Sequence, residues 1–537
     1  MIFLAGFLEV LLKSLVLIGL ASAVGGVLFC LAVLRPLDRG DPQIARGLKA
    51  SLALIACGGG LVALAQVIVL TIEPWVLADE MGRWPLNEFL ATHFARAGLL
   101  HAAMGLSLMT VAIWLLKRPA SIFGWVAMTV ISVILVIGGA WLVHAVGQLD
   151  HVAPLMAVTV LHQLSASVWA GGLLHLAVLG GPVRSSPGGI RLWPAMVARF
   201  SRIAILSIGT LTAAALYLSL RYVGDWTGLV GTAYGAMVVT KASLLLLALC
   251  LGSLNFFSVR LWMRGDDRNI SELVPAFIEG EMWIAMIILL AAAALTSQPP
   301  AVDVLAERAS ALEVLQVFLP KFPQFVPPPH QEMLMRASSS FDPLALPSVL
   351  DRIQSDFNHN VSGLIVVVAG ICAMLDRVGR VRFARHWPLF FLLLAVFLIL
   401  LGEPKGWPLG NEGFWQTLVI PEVLQHRVAT LLVAGLALFE WRVLSGELTP
   451  TRRHFAFPIM CLTGGALLLT HSHTVFAIKS AFLIEVSHNA MGLLAVGIGV
   501  GRWLDLRLPE PKNPIPGFLW TACLILLGFV LLFYREV

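Results

Sequence analysis

Charge is scarce in this chain. Only 12% of its 537 residues are Asp, Glu, Lys or Arg, where a soluble domain carries roughly 25%. With 58% hydrophobic residues and a mean hydropathy of +0.87, the apolar load exceeds what a water-soluble core absorbs, while a bilayer accommodates it. The net charge of +5 is modest. Its basic residues sit in short clusters between apolar runs, so the pattern is no nucleic-acid footprint. Cysteine is equally sparse: Cys30, Cys57, Cys250, Cys372, Cys461 and Cys523 all lie in apolar runs and none forms a C-x-x-C pair. That argues against a disulfide framework or a thiolate zinc site and leaves them as small apolar side chains. No nucleophile elbow, P-loop or dinucleotide fingerprint occurs in a suitable context, so soluble-type catalysis is not expected and the chain is read as no enzyme.

Apolar runs dominate what remains. A membrane span needs about 20 apolar residues, and about fourteen candidates are found. They run near 3–33, 50–72, 91–116, 121–148, 154–181, 200–222, 238–262, 275–297, 359–376, 387–402, 417–441, 455–473, 477–501 and 515–534. The first begins at Met1 without a basic n-region or a clear small-residue cleavage site, which reads as a retained helix rather than a removed signal peptide. The expected fold is all-α, a polytopic transmembrane helix bundle of about fourteen helices.

Basic residues orient it. The loops after the odd-numbered spans, with their flanks, carry Arg35, Arg39, Arg46 and Lys49, then Lys117 and Arg118, then Arg184, Arg191, Arg199 and Arg202, and continue so to Arg502, Arg507 and Lys512. The alternate loops and the C-terminal tail offer only Arg83, Arg221, Lys405, Lys479 and Arg535. By the positive-inside rule the first set is cytoplasmic and both termini face outward. The chain then divides into an eight-helix domain, 1–298, an outer linker, 299–358, and a six-helix histidine-rich domain, 359–537. Within the linker, 302–318 has the mixed spacing of an interfacial helix, and the run Pro327-Pro328-Pro329 before His330 reads as a semi-rigid spacer.

Of the 14 histidines, only His175, His386 and His454 fall toward the cytoplasmic side. The others lie in the outer half of the membrane or in outer loops, and ionisable groups within spans need a partner or a job. In the second half Asp356 with His359, Glu422 with His426 and Glu485 with His488 pair a carboxylate with a histidine at helical spacing. His471 and His473 end the twelfth span, so several helix ends can converge on one metal site. In the first half His144, Gln148 and His151 share a face, with His93, His101 and His162 on neighbouring spans, as a second candidate cluster. Met333 and Met335 add thioethers near His330. Imidazole suits copper, zinc, iron and nickel, thioether leans toward Cu(I), and carboxylates can orient imidazoles. The plainer alternative makes each a capping, interfacial or packing residue. That alternative also covers Glu279, Glu281 and Gly171-Gly172, with the two carboxylates placed near the inner start of the eighth span. Arg96 and Arg427 sit within spans beside candidate histidines and can pair with a carboxylate or an anionic group.

The stretch 161–300 resembles the copper-resistance D (CopD/PcoD) membrane domain. The resemblance rests on Leu161-His162, Trp169-Ala170-Gly171-Gly172, Arg199-Phe200-Ser201, Thr232-Ala233-Tyr234-Gly235 with Lys241, Asn255, Glu281 and Ser297-Gln298-Pro299-Pro300. The second half resembles the C-terminal extension of larger members, on Gln425-His426-Arg427, Thr470-His471-Ser472-His473 and Glu485 with His488. The resemblance implies a multi-pass protein of the bacterial inner membrane that handles copper, moving it across the bilayer together with a periplasmic copper carrier. A membrane redox protein is the competing expectation, with b-type haem or a copper centre held by pairs such as His426 with His488 or His101 with His162. A third is an accessory subunit of a membrane complex.

Overall fold

The computed structural model describes residues 2–38, 40–143, 152–184, 189–264, 270–337, 348–379, 381–418, 420–447, 452–470, 478–508 and 513–536. The described residues form helices joined by short loops. The first half contains α1 (Ile2–Leu20, continuing to Leu34), α2 (Pro42–Met81), α3 (His93–Lys117), α4 (Ile122–Ala140), α5 (Val152–Arg184), α6 (Gly189–Tyr222), α7 (Ala233–Met263) and α8 (Ile270–Thr296). The linker holds α9 (Ala311–Phe318) and α10 (His330–Ala337). The second half contains α11 (Val349–Val378), α12 (Pro388–Leu401), α13 (Pro421–Leu444), α14 (Ala456–Leu469), α15 (Ile478–Arg507) and α16 (Ile515–Leu532).

Every expected span overlaps one of these helices among the described residues. Among the described residues, 11 helices are long and apolar enough to cross a membrane. Of the remaining three, α12 and α14 are apolar but only 14 residues each, and α13 carries Glu422, His426, Arg427, Glu440 and Arg442 along its length. Polar residues in the connecting loops start the helices. The side chains of Asp41, Thr92, Ser121 and Thr232 each accept a backbone N–H of the following turn, which satisfies a donor that no helical carbonyl can reach. Ser348 with Asp351, and Ser310 with Glu313, form reciprocal capping boxes.

The first helix is not regular. It passes through two π-helical stretches, Ala21–Gly25 and Cys30–Leu34, separated by Gly26–Phe29. The irregularity sits where α1 meets α5. A Cβ on Gly171 would lie 1.9 Å from the Ala21 carbonyl oxygen, and one on Gly25 would lie 2.1 Å from that of Ser167. Only glycine allows the two backbones to approach so closely. His175 fills the neighbouring space: it is fully buried, and its Nε2 lies 3.0 Å from the Ser22 carbonyl oxygen. A carbonyl can only accept, so this nitrogen carries the proton.

The two halves share a core. The main apolar cluster runs through α1, α2, α5 and α8 and takes in Leu462, Ala466 and Leu469 of α14 with Val496, Val500 and Leu504 of α15. A second cluster, around Trp387, Phe391, Phe457 and Trp520, belongs to the second half. At one end of the bundle the linker spans both halves. Arg308 Nη1 meets Asp225 Oδ1 at 2.9 Å and Ala309 N–H donates to the Gly231 carbonyl. Glu313 pairs with Lys479 of α15 at 2.7 Å, and Asn360 Oδ1 accepts from Gln324 N–H at 2.6 Å.

At the opposite end a buried ion network ties helix ends together. Arg377 forks onto Asp505 with contacts of 2.9 and 3.0 Å, and Arg502 bridges Asp505 at 2.9 Å and Glu440 at 2.7 Å. Glu279 of α8 accepts from Trp503 at 2.9 Å and is clamped by Arg507. A carboxylate expected only to face the interface thus joins the two halves.

Candidate functional site

The histidines of the second half gather at the linker end. His359 is about 15 Å along α11 from Val349, and His488 about the same distance along α15 from Ile478. Their rings stand perpendicular, with centroids 5.9 Å apart. Tyr534, just beyond α16, stacks on His359 at 4.0 Å and meets His488 edge-on at 5.9 Å. The two imidazoles are held alike. His359 Nδ1 lies 2.8 Å from the Ser355 carbonyl oxygen, and His488 Nδ1 lies 2.9 Å from that of Ile484. Each Nδ1 must therefore donate, so in the neutral ring the lone pair is on Nε2. Donation of one ring N–H to a backbone carbonyl is the arrangement that orients metal-binding histidines.

The carboxylates expected beside these histidines behave differently. Asp356 does not serve His359; it accepts from Arg535 at 2.9 Å and from the Glu536 N–H at 2.8 Å, anchoring the C-terminal tail. Glu485 is buried one turn before His488. His426 is half-exposed and its Nδ1 pairs with Glu403 at 3.0 Å. The end of α12 that carries Glu403 is fastened to α11, where Gln354 donates to the Leu401 carbonyl and Asn358 to that of Gly402. His426 thus sits at the same end of the bundle as His359. Arg427 spends its charge on the Trp407 carbonyl and on the faces of Trp407 and Phe414. His471 and His473 lie outside the described residues.

In the first half His144 and His151 also lie outside the described residues. His93 is exposed at the start of α3 and Arg96 is exposed on its first turn. His162 is half-buried on α5. His101 is 1% exposed and neither ring nitrogen has a hydrogen-bond partner; the Leu135 carbonyl is near it but outside bonding geometry. Its Nε2 and the unpartnered Oε1 of Gln163 both border the space that a side chain at Gly139 would fill, at 3.4 and 3.0 Å. Buried polar atoms in this state call for a shared partner such as a water or an ion.

Several plainer readings hold. His386 accepts from Trp441 Nε1 at 3.0 Å, and Met333 is buried at 3% exposure. Among the described residues no group of three or more His, Cys, Asp and Glu side chains is set to hold a metal ion. Nor do the described contacts support a bis-histidine haem: His488 meets His359 and Tyr534, His426 meets Glu403, and none joins His426 to His488 or His101 to His162.

The sequence reading also missed a site. Glu281, expected near the membrane interface, is 5% exposed and about 16 Å along α8 from Ile270. Trp169 Nε1 of α5 donates to its Oε1 at 3.1 Å and Asn255 Nδ2 of α7 donates to its Oε2 at 3.3 Å. The signal was present: Trp169, Asn255 and Glu281 are all among the residues that carry the family resemblance. Their spacing along the chain gave no hint that they meet.

Residues 194–295 match the family model described as copper resistance protein D. A copper transport protein of Bacillus subtilis (strain 168), CutJ, is 27% identical over 251 residues, an alignment that covers 45% of this chain and 45% of that protein. The match therefore spans less than half of that relative's length. No solved structure matches the chain. The matched segment runs from within α6 through α7 and α8 and contains Asn255 and Glu281, the donor and acceptor at the buried centre of the first half. In that segment this multi-pass membrane protein is similar to the copper resistance protein D family.

Proposed function

We propose that the protein takes up copper at the periplasmic face of the bacterial inner membrane and passes it across the bilayer, acting as a transporter rather than an enzyme. The observation that carries this is the His359–His488 pair, two imidazoles 5.9 Å apart whose Nδ1 protons are both committed to backbone carbonyls. A pair of imidazoles suits copper, and the buried Glu485 beside His488 offers negative charge for the ion. His426 at the same end extends the capture surface, with His471 and His473 as further ligands of the same site. The positive-inside pattern puts this end outside, where a periplasmic copper carrier would deliver the ion. In the first half His101 with Gln163 is proposed as a second station, with His93, His144, His151 and His162 as further candidate ligands. The name of the copper transport relative agrees with this reading.

Metal analysis and an absorption spectrum of the detergent-purified protein test it. Copper should co-purify and be lost in the double variant His359→Ala/His488→Ala. A Soret band would move the protein to the redox class, and a copper-free wild type after copper loading would sink the proposal.

A further inference from the structure

We propose that Glu281 is a proton-binding residue at the centre of the first half, taking up and releasing one proton as copper crosses. Its bonds come from two neutral donors, the Trp169 indole and the Asn255 amide, and among the described residues it has no ion-pair partner. The charged groups on every element packed against α8 are committed elsewhere or distant. On α1, Glu9 pairs with Lys13 at 2.7 Å. On α5, His175 bonds Ser22 and His162 is about 10 Å from Trp169 along the helix. On α7, Arg260 lies over Phe256 and Lys241 is about 21 Å from Asn255 along the helix. The helix α14 has no charged residue. On α15, Lys479 holds Glu313, Arg502 holds Glu440 and Asp505, and Arg507 holds Glu279, while Glu485 and His488 are near the other end.

A carboxylate without a counter-ion inside a membrane is expensive, and such groups mark ion or proton pathways. The chemistry favours a proton over copper. A lone hard carboxylate is a poor ligand for Cu(I), and neither an indole nor an amide N–H coordinates. Asn255 supplies the second observation: it is 5% exposed, and its Oδ1 is buried without a hydrogen-bond partner while its Nδ2 is bound to Glu281. A charged Glu281 only accepts and cannot satisfy that oxygen. A protonated one gains an O–H donor, so the acid and the amide can pair in both directions. The step is a simple protonation, COO⁻ plus H⁺ to COOH, with the proton drawn from water on one side and returned on the other.

This rests on the transport reading above, and two measurements keep them separable. In proteoliposomes loaded with copper, one proton exchanged per ion makes a gradient of one pH unit change the copper accumulation ratio by about tenfold. Glu281→Gln should abolish that response. Wild-type accumulation indifferent to the gradient, or an unchanged response in Glu281→Gln, overturns the proposal. If neither protein moves copper, the transport reading fails instead, and infrared difference titration decides Glu281 alone. A titrating protonated-carboxyl band present in the wild type and missing from Glu281→Gln upholds proton binding; its absence from the wild type overturns it. Trp169→Phe, which removes one neutral donor, should shift that band, and an unshifted band counts against the assignment.

Discussion

The imidazole of His359 stacks on the phenol ring of Tyr534, with centroids 4.0 Å apart and planes 27° from parallel. The contact joins α11 to the segment that follows α16, and Asn360 beside it donates to the carbonyls of Leu531 and Tyr534. The C-terminal tail is thereby part of the wall of the histidine site rather than a loose end.

Replacing Tyr534 separates the stack from the hydroxyl. Tyr534→Phe should keep the ring contact and copper affinity. Tyr534→Ala should cost about 1 kcal/mol of aromatic pairing and, by freeing the His359 ring, about tenfold in copper affinity. A thermal melt and a competition titration with a copper chelator read the two effects. Equal copper affinity in all three proteins would separate the site from His359.

The ion network at the other end should be strongly stabilising only when complete. Asp505 is 4% exposed and serves both Arg377 and Arg502. Asp505→Asn leaves two guanidinium groups without their shared anion and should cost about 3–5 kcal/mol. Arg377→Lys, which loses the two-pronged contact, should cost less. Unfolding in graded denaturant with detergent present measures both, and a loss below about 1 kcal/mol for Asp505→Asn contradicts the burial argument.

Linker docking should depend on acid. The Gly228 N–H, the Thr227 hydroxyl and Arg308 hold the Asp225 carboxyl down from 3.8 to about 2. Lys479 and the Ser310 N–H and hydroxyl hold Glu313 down from 4.5 to about 2. A depressed folded-state value means that the stabilisation is present above the unfolded value and disappears as pH falls through the folded one. The linker should therefore stay docked above about pH 4.5 and loosen progressively toward about pH 2. Hydrogen exchange over 301–325 reads this, and Arg308→Ala should move the loosening of its first part to higher pH. The Asp225 and Glu313 carboxylates are exposed, so salt should weaken both pairs as well.

Close backbone contact between α1 and α5 allows no side chain at Gly171. Gly171→Val would force the Ala21 carbonyl away and should destabilise the first half by about 3 kcal/mol, while Gly209→Ala, where nothing lies within 4 Å, should be neutral. Thermal stability of the two variants in the same detergent makes the comparison.

The membrane helices were legible in the sequence because a span is a local property. About 20 consecutive apolar residues suffice to announce it, and the basic clusters at alternate ends mark its direction. The capping residues Asp41, Thr92, Ser121 and Ser348 were local signals of the same kind. The candidate site was legible only as a list of histidines. Helical spacing puts Asp356 and His359 within reach of each other, yet Asp356 turns to Arg535 and His359 to Tyr534. Periodicity defines a face for each helix and says nothing about which face of which other helix it meets. That choice belongs to the packing of whole surfaces, where many weak contacts and a few glycine approaches such as Gly25 with Gly171 set the pairing. The sequence determined fourteen apolar segments and where their charges lie. Only the tertiary structure decided that His359 meets His488, and that Glu281 sits between Trp169 and Asn255 at the heart of the first half.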